Sequence, residues 1–158
     1  MSSDTFTTAM FLITAVIAAG VLINAVFPVV YQMTGTFASA THASDERLRS
    51  DFSIVATFAS GSDAQIYMKN IGSRSIPVSD IKKSDVFFGS TTGTIARLDY
   101  DSKWNYRMHG PSPENWAPGD TLEIDLHDLG SLTPSDQVYF QFILPNAVQR
   151  STQFGVGT

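Results

Sequence analysis

The stretch Phe6-Thr-Thr-Ala-Met-Phe-Leu-Ile-Thr-Ala-Val-Ile-Ala-Ala-Gly-Val-Leu-Ile-Asn-Ala-Val-Phe27 opens a segment, Thr5 to Ser44, without a single Lys, Arg, Asp or Glu. A bilayer core needs only about 20 such residues, so the composition predicts a membrane helix. The excess length carries more information. Continued from Thr5 to about Arg49, the helix would extend roughly 65 to 70 Å, about twice the hydrocarbon thickness. Something other than lipid must cover half of it.

The residues suggest what that cover is. Met33, Phe37, Ala38, Ala40 and Ala43 alternate in the second half with Thr34, Thr36, Ser39, Thr41, His42 and Ser44. That is too apolar for a solvated helix and too polar for lipid, which suits packing against other helices. In the first half, Ala15 with Ala19 and Gly20 with Asn24 stand at the spacing that lets helix backbones approach closely. Asn24 can hydrogen-bond across such a contact; the alternative is a lone anchor whose small residues are mere composition. Pro28 removes one helix hydrogen bond and predicts a kink. Asp4 is placed as an N-cap facing the positive end of the helix dipole.

Asp45-Glu46-Arg47-Leu48-Arg49-Ser50-Asp51 is the first charged cluster, and beyond it the pattern changes from helix to strand. The expected division is a helix domain over residues 1–50 and an all-β domain over 51–158. Phe52 to Ala59 and Ala64 to Ile71 form a hairpin about Gly61-Ser62-Asp63, with Ile66 and Met68 on one face. Ile76-Pro77-Val78, Asp85 to Gly89, Thr94 to Tyr100 and Lys103 to Met108 read as further strands. His109 to Asp120 reads as a long surface loop. Thr121 to Leu126 alternates three apolar residues in with three polar out, Val138 to Leu144 reads as a central strand, and Gln153 to Val156 as a last short one. Short strands at regular spacing argue for an antiparallel β-sandwich, and the fold class is α+β.

The net charge of −5 gives no basic footprint for nucleic acid. The absence of Cys excludes disulfides and thiolate chemistry. No Asn-x-Ser/Thr sequon occurs, which disfavours an N-glycosylated protein. The start, Met1-Ser2-Ser3-Asp4, is not basic, and the apolar run far exceeds the 7 to 15 residues of a signal core, so the segment is expected to be retained. His42, His109 and His127 have no partners at metal spacing, and no phosphate loop or nucleophile elbow is present. No enzyme, cofactor or metal centre is therefore expected. Asp99 with Asp101 is the most ligand-like pair, but it lacks the Gly and distal Glu of a calcium loop and reads as a solvated turn. Trp104, Tyr106 and Trp116 flank the long loop, where they either form a protein contact or close the end of the core.

Several segments carry a resemblance. Ala18-Ala19-Gly20-Val21-Leu22-Ile23-Asn24 resembles the helix of archaeal flagellins, the archaellins. Leu48 to Ile54, Ile66 to Gly72 and Trp116 to Glu123 resemble the FlaG family of archaellum accessory proteins, within the wider type IV pilin-like group. The resemblance implies a non-enzymatic part of the archaeal swimming motor. It further implies a helix in the cytoplasmic membrane and a sandwich on its outer side, with a FlaF-like partner and the surface layer as attachments. Homo-oligomer or filament formation through the helices is the matching expectation. An archaellin-like filament subunit and a membrane-tethered surface binding module are the alternatives.

Overall fold

The computed structural model describes residues 2–157, so Met1 and Thr158, the two ends of the expected domains, lie outside the described residues. The fold is a long N-terminal helix followed by antiparallel β-sheets, α+β as the residue pattern predicts. The chain divides into two units, Met1–Ala43 and Ser44–Thr158.

The first helix, α1 (Ser2–Arg49), runs unbroken through Pro28. It begins before Asp4, so that residue lies in the first turn rather than at the cap, still near the positive end of the dipole. The second unit has ten described strands: β1 (Phe52–Ser60), β2 (Asp63–Asn70), β3 (Ile76–Pro77), β4 (Asp85–Ser90), β5 (Ile95–Leu98), β6 (Trp104–His109), β7 (Asn115–Trp116), β8 (Thr121–Leu126), β9 (Gln137–Ile143) and β10 (Gln149–Gly155). Two four-stranded sheets, ordered β1-β2-β8-β6 and β10-β9-β4-β5, enclose one apolar core. Every ladder between these strands is antiparallel.

Alternation explains the core. Ala64, Ile66 and Met68 point inward from β2, Leu122, Ile124 and Leu126 from β8, and Val138, Phe140 and Phe142 from β9, all buried. Phe52 of β1 stands 5.6 Å from Phe142 of β9 in the facing sheet and 5.7 Å from Trp116 of the small β3-β7 ribbon, ring centre to ring centre. A register shift between Ile54 and Ala56 turns Val55 outward and leaves it exposed on the edge strand β1.

Four local readings change. Val78, read as strand together with Ile76 and Pro77, instead opens a short helix, α2 (Val78–Lys82). The expected loop from His109 to Asp120 contains β7, whose Trp116 pairs with Ile76 and is fully buried. The last strand begins at Gln149, four residues before the apolar signal, because Gln149, Arg150 and Ser151 pair with β9 while their side chains stay exposed. Glu123, expected to face solvent, is 2 % exposed.

The last turn of α1 is bonded into the β-unit. The Arg49 carbonyl accepts N–H bonds from Ser73 (3.0 Å) and Arg74 (3.1 Å), and the Asp51 carbonyl accepts from Ile71 (3.0 Å) and Gly72 (2.9 Å). These satisfy groups that a helix end otherwise leaves orphaned. Gly72 is required by this approach, since a Cβ there would run into the Arg49 carbonyl and the Asp51 amide. Buried Asn70 holds the same loop: its amide donates to the carbonyls of Arg74 (2.9 Å) and Trp116 (2.8 Å), and its Oδ1 accepts from the Gly72 N–H (2.9 Å).

Two buried polar groups at this joint therefore have opposite expected effects. Asn70→Leu strips partners from two carbonyls and an N–H and should cost about 2 to 4 kcal/mol. Ser50, whose buried hydroxyl has no hydrogen-bond partner, loses nothing in Ser50→Ala, which should be neutral or slightly stabilising. Urea denaturation of a chain beginning at Ser44 measures both.

Candidate functional site

Three features are candidates: the faces of α1, the joint just described, and the outer face of the sheet led by β1. On α1 the four small or polar residues singled out above do not share a face. At about 100° per residue, Ala15 and Ala19 centre some 140° away from Gly20 and Asn24. No single straight neighbour would cover both pairs, which lie on two separate faces of the helix. The helix is apolar and unburied along its most hydrophobic window, long enough to cross a membrane by length and composition.

Its hydroxyl groups behave differently from what composition suggests. Thr7, Thr8, Thr14, Thr34, Thr36, Ser39 and Thr41 each donate to the backbone carbonyl four residues earlier, at 2.8 to 3.1 Å. Such back-bonding satisfies the hydroxyl inside the helix, so these side chains present methyl and methylene groups to their surroundings. The second half is consequently more compatible with an apolar environment than its Ser and Thr content implies.

Trp104 and Trp116 are fully buried, which fits the second of their two readings, closing the core, and not the first, a protein contact. Trp104 donates to the Leu98 carbonyl (3.2 Å) and packs edge-on to Phe142; Trp116 donates to the Asp120 carbonyl (2.8 Å). Each indole N–H has found a partner within the sandwich, and the two residues close its core. Asp99 pairs with Arg97 at 3.4 Å, and Asp101 takes a positive φ of 69° in the turn before β6. Among the described residues no group of three or more His, Asp or Glu could hold a metal ion.

The feature missed in the sequence is a carboxylate cluster on the outer face of the β1-led sheet. Glu123 of β8 is flanked in register by Tyr67 of β2 and Arg107 of β6. Arg107 bonds it at 3.2 Å and His109 at 2.5 Å, while Arg107 also reaches Asp125 at 3.8 Å. Tyr67 lies over the site, 6.2 Å from the rings of both His109 and the exposed Phe58. Alternation alone puts Glu123 on the solvent side; only the register of three strands reveals that long side chains close over it.

These geometries can be set beside known proteins. The model of the archaeal-type flagellin family matches residues 6–154. The chain belongs to this family. It is 23% identical over 160 residues to a protein of Archaeoglobus fulgidus, covering 98% of this chain and 99% of that one. Among solved structures it is similar to the archaellum periplasmic stator protein FlaG of Sulfolobus acidocaldarius, with TM-score 0.56 and 22% identity over 66% of this chain and 99% of that chain. The same likeness holds for the FlaF–FlaG complex from that organism, with TM-score 0.56 and 22% identity over 65% of this chain and 87% of that one. The archaeal flagellum of Methanospirillum hungatei gives TM-score 0.71 at 11% identity, over 96% of this chain and 93% of the other. The first two likenesses cover about two thirds of the chain, and the last nearly all of it.

Within this family fold the Glu123 cluster gives a pH signature. Burial pushes the Glu123 pKa up, but bonding to His109, the charge of Arg107 and hydrogen bonds from Asp125 and Tyr67 outweigh it and hold the value below the ordinary one. Asp125 moves the other way, raised by burial and by the neighbouring Glu123 charge. The lowered Glu123 value means a stabilising contribution present above the ordinary glutamate pKa and lost as pH falls through the folded value. The raised Asp125 value means a penalty at neutral pH that is relieved as pH falls through it. Asp125→Asn should therefore raise the neutral-pH melting temperature by about 1 to 4 °C, while the gap between wild type and Glu123→Gln should close in acid. Thermal melts of both variants from pH 7 to pH 3 measure this; a gap that stays constant would show that Glu123 does not titrate as described.

Proposed function

We propose that this chain is a non-enzymatic structural subunit of the archaellum machinery, held in the cytoplasmic membrane by α1 and assembled with other copies through it. The observation that carries this reading is the helix itself: 48 residues, roughly 70 Å, with its large apolar side chains exposed from Phe6 to Phe37. A bilayer covers about 30 Å of that length. The remainder needs protein, and like helices are the cover that the small residues Ala15, Ala19, Gly20 and Asn24 would admit on two faces.

The stator-type role is the preferred form. Its support is the likeness, over about two thirds of the chain, to FlaG, a protein described as a periplasmic stator and solved in complex with FlaF. On this reading the sandwich lies outside the cytoplasmic membrane, with a FlaF-like protein and the surface layer as its anchorage. A stator resists torque, and many weak contacts along a polymer hold better than one. A filament subunit is the second reading, supported by the match to the Methanospirillum flagellum across helix and sandwich together.

Full-length protein in detergent, followed by detergent removal, should form filaments or rods under the electron microscope, and a chain beginning at Ser44 should not. Monomers from both would overturn the proposal. Immunogold labelling of detached filaments against membranes then separates propeller subunit from stator. Gly20→Leu should reduce assembly at least tenfold while leaving the sandwich melting temperature within about 1 °C; normal assembly in that variant would sink the helix-packing claim.

A further inference from the structure

The outer face of the β1-led sheet carries a row of rings that the core does not use. Phe58 of β1 is 61 % exposed, Tyr67 of β2 is partly buried, and the His109 side chain on β6 is 47 % exposed. Phe58 lies opposite Gln65, two residues before Tyr67 along β2, and His109 lies two residues beyond Arg107, which is level with Tyr67. The three rings therefore run diagonally across the four strands, in two steps of 6.2 Å. Tyr67 and His109 lie within 36° of parallel, and Phe58 stands at 83° to Tyr67.

What holds the row is buried. Tyr67, Arg107 and His109 converge on Glu123, which among the described residues is the one buried charged side chain. A buried carboxylate is a weak source of stability, because desolvation offsets much of its pairing. This one fixes side chains that are themselves open to solvent, Arg107 and His109. Rings and donors ordered in advance lose less entropy when something binds them. Beside them Asp125 is kept although burial and the Glu123 charge both disfavour its ionised form. A charge retained against stability points to a use outside the fold.

The chemistry narrows the ligand. Arg107 bonds Glu123 at 3.2 Å and reaches Asp125 at 3.8 Å, so the central charges answer one another. Asp63 and Lys69, at opposite ends of β2, are of opposite sign. Charge complementarity thus favours an uncharged partner. The carboxylates at the centre are of the type that protein interfaces are depleted of, and they repel phosphate. A chain of neutral sugars fits. A pyranose sets C–H groups against the negative face of an aromatic ring, and its hydroxyls both donate and accept. Asp125 can accept from them, Arg107 can donate to them, and Gln65 and Asn105, in register on either side of Asp125, can do both. We propose that Phe58, Tyr67 and His109 form a stacking platform for a neutral oligosaccharide, with Arg107 and Asp125 bonding its hydroxyls. This binding activity goes beyond the assembly reading and does not depend on it.

Full-length protein in a detergent without a sugar headgroup is applied to an array of neutral and anionic oligosaccharides built from hexoses and N-acetylhexosamines. Titration calorimetry with the best-bound member then gives the affinity. Neutral chains of two or more residues should bind, and sulfated chains more weakly. Phe58→Ala, at an exposed position, and Tyr67→Ala should each weaken binding at least about 10-fold, as loss of a ring at a binding centre does. Tyr67→Phe keeps the ring but frees it from Glu123, and should weaken binding about 3-fold through entropy with the enthalpy retained. Tyr139→Ala, on the outer face of the other sheet between Gly89 and Gln153, should leave binding unchanged. An array on which nothing binds, binding confined to anionic chains, or binding that Phe58→Ala and Tyr67→Ala leave within about twofold overturns the site. So does loss of self-association rather than of sugar binding in Phe58→Ala, which would assign the face to a second copy. Monomers after detergent removal would sink the assembly reading alone, because the array reads binding whether or not the chain assembles.

Discussion

The carbonyl of Arg49 is where a helix that owes its surroundings to other molecules becomes part of a self-sufficient fold. A helix end leaves its last carbonyls unpaired, and a chain that simply stopped there would give them to water. Here the Ser73 and Arg74 amides take the Arg49 carbonyl, and the Ile71 and Gly72 amides take that of Asp51. The segment from Asn70 to Arg74 is shaped to supply those four donors. Gly72 lets it approach, and the Asn70 side chain locks it from beneath by satisfying both the loop and the Trp116 carbonyl. An ion pair between Arg74 and Glu46 at 3.3 Å spans the same contact, but its exposure makes it a minor contributor beside the backbone bonds. This is why the contact division falls at Ser44 and not at the end of the helix.

On the other side of that division the helix has no internal reason to exist in water. Its side chains bury nothing within the chain, so its stability comes from whatever covers it. The Ser and Thr hydroxyls, folded back on the backbone, remove the polar objection to an apolar surrounding almost everywhere. What remains polar is confined to a few side chains past Ile23. The helix is long and apolar enough to cross a membrane by length and composition.

Much of this was legible in the residues because it depends on periodicity. The length of α1, the β1–β2 hairpin with its turn at Gly61, and the inward set Ile66, Met68, Leu122, Ile124 and Leu126 follow from spacing alone. What was not legible depends on pairing between distant strands. Trp116 sits among turn-forming residues, and only its ladder with Ile76 turns the segment into a core strand. Glu123 obeys strict alternation and points outward, yet Tyr67 and Arg107 meet over it because three strands align in register. The helix faces show a third kind of limit. Small residues four apart are easy to see, but whether two such pairs share a face depends on the turn between them, and Ala19 to Gly20 is a step of about 100°.

The joint and the core are close enough in sequence to act as one mechanical element. Phe52 follows the clamped Asp51 directly and is wholly buried, with its ring against Trp116 on one side and Phe142 on the other. Phe142 belongs to β9, in the middle of the second sheet, and also meets Trp104 of β6, at the far edge of the first sheet, at 6.3 Å. Displacing the end of the helix thus requires breaking four backbone hydrogen bonds and drawing an aromatic ring out of a close-packed interior, where even partial voids cost several kcal/mol. The last turn of the helix is thus bonded to the sandwich through backbone groups and core rings alike, at Arg49, Asp51 and Phe52.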